Sequence, residues 1–158
     1  MVKVIEFVQV YYVLISAILG WFLAQLIKMI IAIFTKDKRR LINVFFSTGG
    51  MPSSHSAAVS GLCAACAIHD GFASATFAIS LVFAAIVMTD ARGVRFEAGK
   101  QAAIINRITQ KLFEGDPDQV NMGLKELIGH TPVQVFMGAL LGIVVAIAMA
   151  FAGGLLIV

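Results

Sequence analysis

The chain has 158 residues, of which 59% are hydrophobic and 13% charged, with a mean hydropathy of +0.92 and a formal net charge of +3. Soluble domains run at about 45–50% apolar and about 25% charged residues, so this composition excludes a disordered chain, a collagen-like repeat, a nucleic-acid-binding arm and an ordinary cytosolic domain. The length suits one domain, 1–158, and the apolar excess places it in a membrane.

A spanning helix needs roughly 20 mostly apolar residues. Phe7 to Ile27 supplies 21 with no charge, and apolar character continues past Lys28 to Phe34, so the first span covers 7–34. That run is too long for a secretory signal, and no small-residue cleavage site follows it, so a retained span is expected. A basic loop with Lys36, Lys38, Arg39 and Arg40 comes next. Residues 49–68 hold one ionisable group, His55, among many Ala, Gly and Ser; this second span suits close helix packing more than lipid contact. Its Cys63 and Cys66 have no second pair and are read as small packing residues. After the turn at His69-Asp70-Gly71, the uncharged residues 72–89 form a third span.

The polar segment 90–131 follows. Within it, Ala98, Ala102, Ile105, Ile108 and Leu112 recur at helical spacing, with Lys100, Arg107 and Lys111 off that stripe. The pattern predicts an amphipathic helix at the membrane surface. Glu114-Gly115 ends it; Asp116 as N-cap, Pro117 and Gln119 open a second short helix that runs to Gly129. Capping accounts for Asp116 and Asp118, so no metal site is expected. Residues 133–158 form the fourth span. The expected fold is all-α, a bundle of about four transmembrane helices plus one or two cytoplasmic amphipathic helices.

Orientation follows from the cations. The loop after span one and segment 90–131 carry nearly all of the Lys and Arg, the turn near Asp70 carries none, and the N-terminus carries only Lys3. Both basic segments are therefore expected in the cytoplasm and both termini on the opposite side. Lys28 suits either a snorkelling side chain or an anion ligand. Tyr11, Tyr12 and Trp21 suit either interfacial anchors or packing. Gly138, Gly142 and the small residues of span two permit tight helix pairing, within one chain or between two copies.

Two segments carry polar groups at the start of an apolar run. One is Gly49-Gly50-Met51-Pro52-Ser53-Ser54-His55-Ser56; the other is Gly129-His130-Thr131-Pro132-Val133-Gln134. In each a proline falls where the first helical position is expected, and a histidine lies within a turn of it. Free N–H groups and the positive end of the dipole make a helix start a natural anion site, to which Ser53 and Ser54 add hydroxyls. The topology puts both starts at the same membrane face, beside the basic loops. Two histidines, two helix starts and Lys28, Arg39, Arg40, Arg92, Arg95 and Lys100 suit a phosphate: one imidazole attacks phosphorus, the other protonates the leaving oxygen, and the cations hold the remaining oxygens.

These residues resemble known motifs. Pro52-Ser53-Ser54-His55 is similar to the P-S-G-H motif of the type 2 phosphatidic acid phosphatase superfamily, which also includes vanadium haloperoxidases. His130-Thr131-Pro132-Val133-Gln134-Val135 with Gly138 and Gly142 resembles its third motif, H-x-P-x-D-V-x-x-G-x-x-x-G. Gly49 to Ala57, Asp90 to Ala102 and Leu124 to Pro132 together resemble the small divergent membrane branch of that superfamily. The resemblance implies His130 as nucleophile, forming a phosphohistidine, and His55 as general acid, with no metal or other cofactor. This chain departs from the wider pattern at three places. The first motif, K-x6-R-P, is absent, with Lys28, Arg39 and Arg40 as a loose substitute. Leu124 stands where the third motif has Arg. Gln134 stands where it has the Asp that orients the nucleophile, a role Asp90 or Glu126 would have to take.

The expected activity is hydrolysis of a phospholipid phosphate or a polyprenyl pyrophosphate at the cytoplasmic membrane face. Two rival readings use the same residues: a non-catalytic phospholipid-binding or scaffold protein that keeps the pocket without the chemistry, and a small lipid or phosphate carrier.

Overall fold

The uncharged runs fold as helices, and the turns between them fall near the glycines. The computed structural model describes residues 2–35, 44–45, 50–112 and 130–155. Its elements are α1 (Val2–Phe34), α2 (Ser54–Asp70), α3 (Ala75–Arg92), α4 (Val94–Leu112) and α5 (Pro132–Ala152), with no strand among the described residues. The second amphipathic helix expected at 116–129, and the loop cations Lys36, Lys38, Arg39 and Arg40, lie outside the described residues.

Among the described residues, three segments are long and apolar enough to cross a membrane: Val10–Phe34, Ala75–Thr109 and Pro132–Ala152. The expected second span, 49–68, is a helix at the short end of the spanning range. Its helix begins at Ser54, not near residue 49, and its 17 residues reach about 25 Å, short of the roughly 30 Å hydrocarbon core. The late start has a local cause. The Ser53 hydroxyl accepts the Ser56 N–H, so Ser53 is the N-cap and Pro52 precedes the helix instead of opening it. In α5 the expected proline position holds: Pro132 opens the helix, and the structure adds Thr131 as its cap and Gln134 closing a capping box.

The third span leads directly into the amphipathic helix. α3 and α4 are separated only at Gly93, whose N–H closes back on the Thr89 carbonyl at 2.8 Å. α4 packs chiefly on α3 among the described elements. Its Ile104, Ile105 and Ile108 point outward, as an interfacial helix requires.

α2 is the centre of the bundle. It packs most extensively on α5, then on α1 and α3, and α1 also meets α5. Its small residues explain why. Ser54, Ser56, Ala57, Ser60, Gly61, Ala65 and Ala67 are all buried, and the facing helices come close enough to touch backbone. A Cβ on Gly138 would strike the Ser53 carbonyl oxygen, and one on Gly142 would strike the Ala57 carbonyl oxygen and the Ser60 hydroxyl. These two glycines therefore serve a seam inside one chain. Without a hydrophobic force between helices in lipid, such contact and interhelical hydrogen bonds hold the bundle. Ser60 Oγ donates to the Ala139 carbonyl at 2.9 Å, and Tyr12 OH to the Ala146 carbonyl at 2.8 Å. Tyr12 is thus a buried packing residue, whereas Tyr11 is exposed.

On α1 the buried residues Tyr12, Ser16, Gly20, Ala24, Lys28 and Ala32 recur one in every four, with Gln25 buried beside Ala24. This stripe is small or polar, while Leu14, Ile18, Ile30 and Ile33 face outward. Past the end of α1 the chain has returned alongside it by residue 45. Gln25 Nε2 donates to the Phe45 carbonyl at 2.5 Å, and the Phe45 ring meets Trp21 edge-on with centroids 5.7 Å apart. The side-chain amide supplies a partner that a carbonyl at that depth cannot take from lipid.

Candidate functional site

The end of the bundle that gathers the chemistry is built by four chain segments. Ser53 N–H donates to the Gln134 carbonyl at 3.0 Å, which ties the start of α2 to the first turn of α5. His130 N–H donates to the Ala91 carbonyl at 3.1 Å, which ties the residue before the α5 cap to the last turn of α3. Lys28 Nζ donates to Ser54 Oγ at 3.4 Å, which brings α1 to the same place. Both histidine-bearing helix starts therefore lie at one end of the bundle, as the topology predicts.

The α5 side is held by a short network. Gln134 N–H donates to Thr131 Oγ1 at 3.3 Å, and Gln134 Oε1 accepts the Thr131 N–H at 3.1 Å. The same Oε1 lies 3.2 Å from His130 Nδ1. A carbonyl oxygen only accepts, so Nδ1 carries the hydrogen and Nε2 the lone pair. Gln134 thus fixes the tautomer that a nucleophilic Nε2 requires, without supplying the charge that would stabilise an imidazolium. His130 is 3% exposed and its Nε2 is buried.

The α2 side is a hydroxyl cluster. Ser53, Ser54 and Ser56 are buried. Ser53 Oγ receives both the Ser56 N–H at 3.3 Å and the Ser56 hydroxyl at 3.0 Å. Ser53 is therefore committed to capping, while Ser54 holds Lys28. His55, the second residue of α2, is half-buried.

Lys28 is turned inward, which corrects the snorkelling alternative. It is 3% exposed, and its stem runs under Gly50, where a Cβ would lie 3.9 Å from Lys28 Cδ. Its ammonium thereby sits at the α2 N-terminus, where the dipole already leaves about half a positive charge.

The remaining sequence candidates divide. Asp90 is half-buried and next to Ala91, whose carbonyl holds His130. Arg92 is exposed on the last turn of α3. Lys100 is further along α4 and pairs with Glu97 at 2.8 Å on the surface, so it is not drawn to the histidines. The side chain of Arg95, with Arg39 and Arg40, lies outside the described residues. The sequence reading did not single out the Ala91 carbonyl, the Gln25 amide or Ser60. For Gln25 a signal existed, a polar side chain three residues before Lys28 in an otherwise apolar span.

The comparisons place the chain in a family. A curated relative, described as the uncharacterized membrane protein YuiD of Bacillus subtilis (strain 168), is 38% identical, over 87% of this chain and 93% of its own length. No solved structure matches. The sequence profile described as the divergent PAP2 family matches residues 10–145, a stretch that contains Lys28, His55 and His130, and the chain belongs to that family.

Proposed function

We propose that the protein is a phosphatase of a membrane lipid phosphate, with His130 as nucleophile and His55 as general acid. The observation that carries this reading is the 3.0 Å hydrogen bond from Ser53 N–H to the Gln134 carbonyl, which joins the two histidine-bearing helix starts. In the first step His130 Nε2 forms a bond to phosphorus while the bond from phosphorus to the leaving oxygen breaks, and His55 gives that oxygen its proton. In the second step His55 takes a proton from water, which attacks the phosphohistidine and releases phosphate. Lys28, Arg92 and the positive ends of α2 and α5 oppose the charge that builds on the phosphoryl oxygens. The excess of Lys and Arg in the adjoining segments argues for the cytoplasmic face.

A second reading is favoured by one residue. Gln134 has no charge to stabilise an imidazolium, which suits a protein that binds a phospholipid headgroup without hydrolysing it. Phosphate release by the purified protein decides between the two. The panel is phosphatidic acid, phosphatidylglycerophosphate and a polyprenyl pyrophosphate. The phosphatase reading expects release from at least one of them and its loss in both His130→Ala and His55→Ala. If both variants match wild type on every hydrolysed substrate, the assignment of the histidines fails. Vanadate binding with no release from any substrate selects the binding protein.

A further inference from the structure

Between α3 and α5 lies an open groove of about 600 Å³, within the roughly 300–1,000 Å³ of small-molecule sites. Met88 and Thr89 of α3 face Val135, Phe136 and Ala139 of α5 across it, and Arg92 stands at one end. The polarity is graded. Arg92 is at the end where Ala91 holds His130, and from there the groove descends about 10 Å along α3 to a wholly apolar stretch at Ala85. Among the described residues Arg92 has no ion-pair partner. A groove with a cation at its head and hydrocarbon along its length matches one kind of occupant, an amphiphile with an anionic head.

We infer that this groove seats the hydrocarbon tail of a phosphate-bearing membrane lipid, with Arg92 on its headgroup, so that the lipid reaches the histidines sideways from the bilayer between α3 and α5. The inference rests on reading the α2/α5 junction as a phosphate site, but not on turnover there. It names the part of the protein that separates a lipid phosphate from a soluble one.

The test uses the full chain in phosphatidylcholine bilayers. Trp21, the chain's single tryptophan, is replaced (Trp21→Phe), and one reporter is installed. Phe136→Trp puts the reporter in the groove. Met137→Trp puts it on the same turn of α5, outside the groove lining. Fluorescence quenching is then compared for phosphatidic acid and phosphatidylcholine brominated at the same acyl positions. One arginine near the surface is expected to give about a fivefold preference for the anionic lipid. That preference should occur at Phe136→Trp, be absent at Met137→Trp and vanish in Arg92→Gln. Equal quenching by both lipids in the groove, the same preference at Met137→Trp, or a preference that survives Arg92→Gln overturns the inference. So does protection of the groove from both lipids, which would mean that a protein surface covers it. Because quenching needs no hydrolysis, the groove can pass this test where the phosphatase reading fails on phosphate release, and the reverse.

Discussion

Gly142→Ala separates local helix preference from the crossing geometry, because the two predict opposite signs. Alanine is favoured over glycine inside a helix by about 1 kcal/mol, so propensity alone makes the variant more stable. The structure puts the new methyl against the Ala57 carbonyl oxygen, the Ser60 hydroxyl and the Gly61 backbone nitrogen. Two of these three are backbone and cannot rotate away. Ser60 can, but only by leaving the Ala139 carbonyl, an interhelical bond of about 0.6–2 kcal/mol. Overpacking costs about 1–3 kcal/mol more. After the propensity gain is subtracted, a net loss of about 1–4 kcal/mol remains. The assay is the apparent unfolding temperature of the purified chain in one detergent, read beside Ala148→Gly. That position is exposed on the same helix, so it calibrates propensity alone. A drop of at least about 2 °C is expected. A Gly142→Ala protein that unfolds at a higher temperature than wild type would refute the close contact of α2 with α5, and with it the packing that sets Ser53 against Gln134.

Tyr12→Phe removes the hydroxyl bonded to the Ala146 carbonyl and should lower stability by about 1 kcal/mol, measured as the same unfolding shift. Lys28→Met removes a buried charge while keeping the stem, so vanadate affinity, measured by titration, should fall about tenfold or more. Gln134→Glu keeps the length that reaches His130 Nδ1 and adds the missing charge; phosphate release should rise about tenfold or more, and an unchanged rate would show that this contact does not limit turnover. Diethyl pyrocarbonate, followed by peptide mapping, should modify His69 first, half-buried His55 next and His130 last, the order of their exposure.

What could be read from the sequence was the chemistry at the helix starts. Thr131-Pro132-x-Gln134 spells a capping box, and it folds as one. The paired starts followed from counting helices and asking which ends share a face. The start of α2 was misplaced because Pro52 and Ser53 compete to define it, and the Ser53 hydroxyl wins by taking the Ser56 N–H. Lys28 was ambiguous because a lone lysine near a span's end can turn either way. The four-residue recurrence of Tyr12, Ser16, Gly20 and Ala24 extends through Lys28 and would have chosen the inward face. The return of residues 44–45 to Gln25 and Trp21 was beyond sequence pattern, since it depends on one side-chain amide meeting one carbonyl.

The placement of Lys28 is hard to explain by stability alone. A lysine buried among apolar helices is costly, and ionisable groups at such sites are usually functional. Here the ammonium also faces the positive end of α2, so charge of one sign meets charge of the same sign. The start of α5, held to Ser53 by hydrogen bond, adds a second dipole with its positive end at the same end of the bundle. Each of these features alone has a structural use: Ser53 and Thr131 cap helices, and Gly138 and Gly142 let backbones touch. All of them meet beside a buried cation, and positive ends gathered in one place repel one another. An anion reverses the sign of every one of those interactions at once. That reversal is what the proposed phosphate would supply at this corner of the bundle. Sites shaped for a ligand give up local stability in this way.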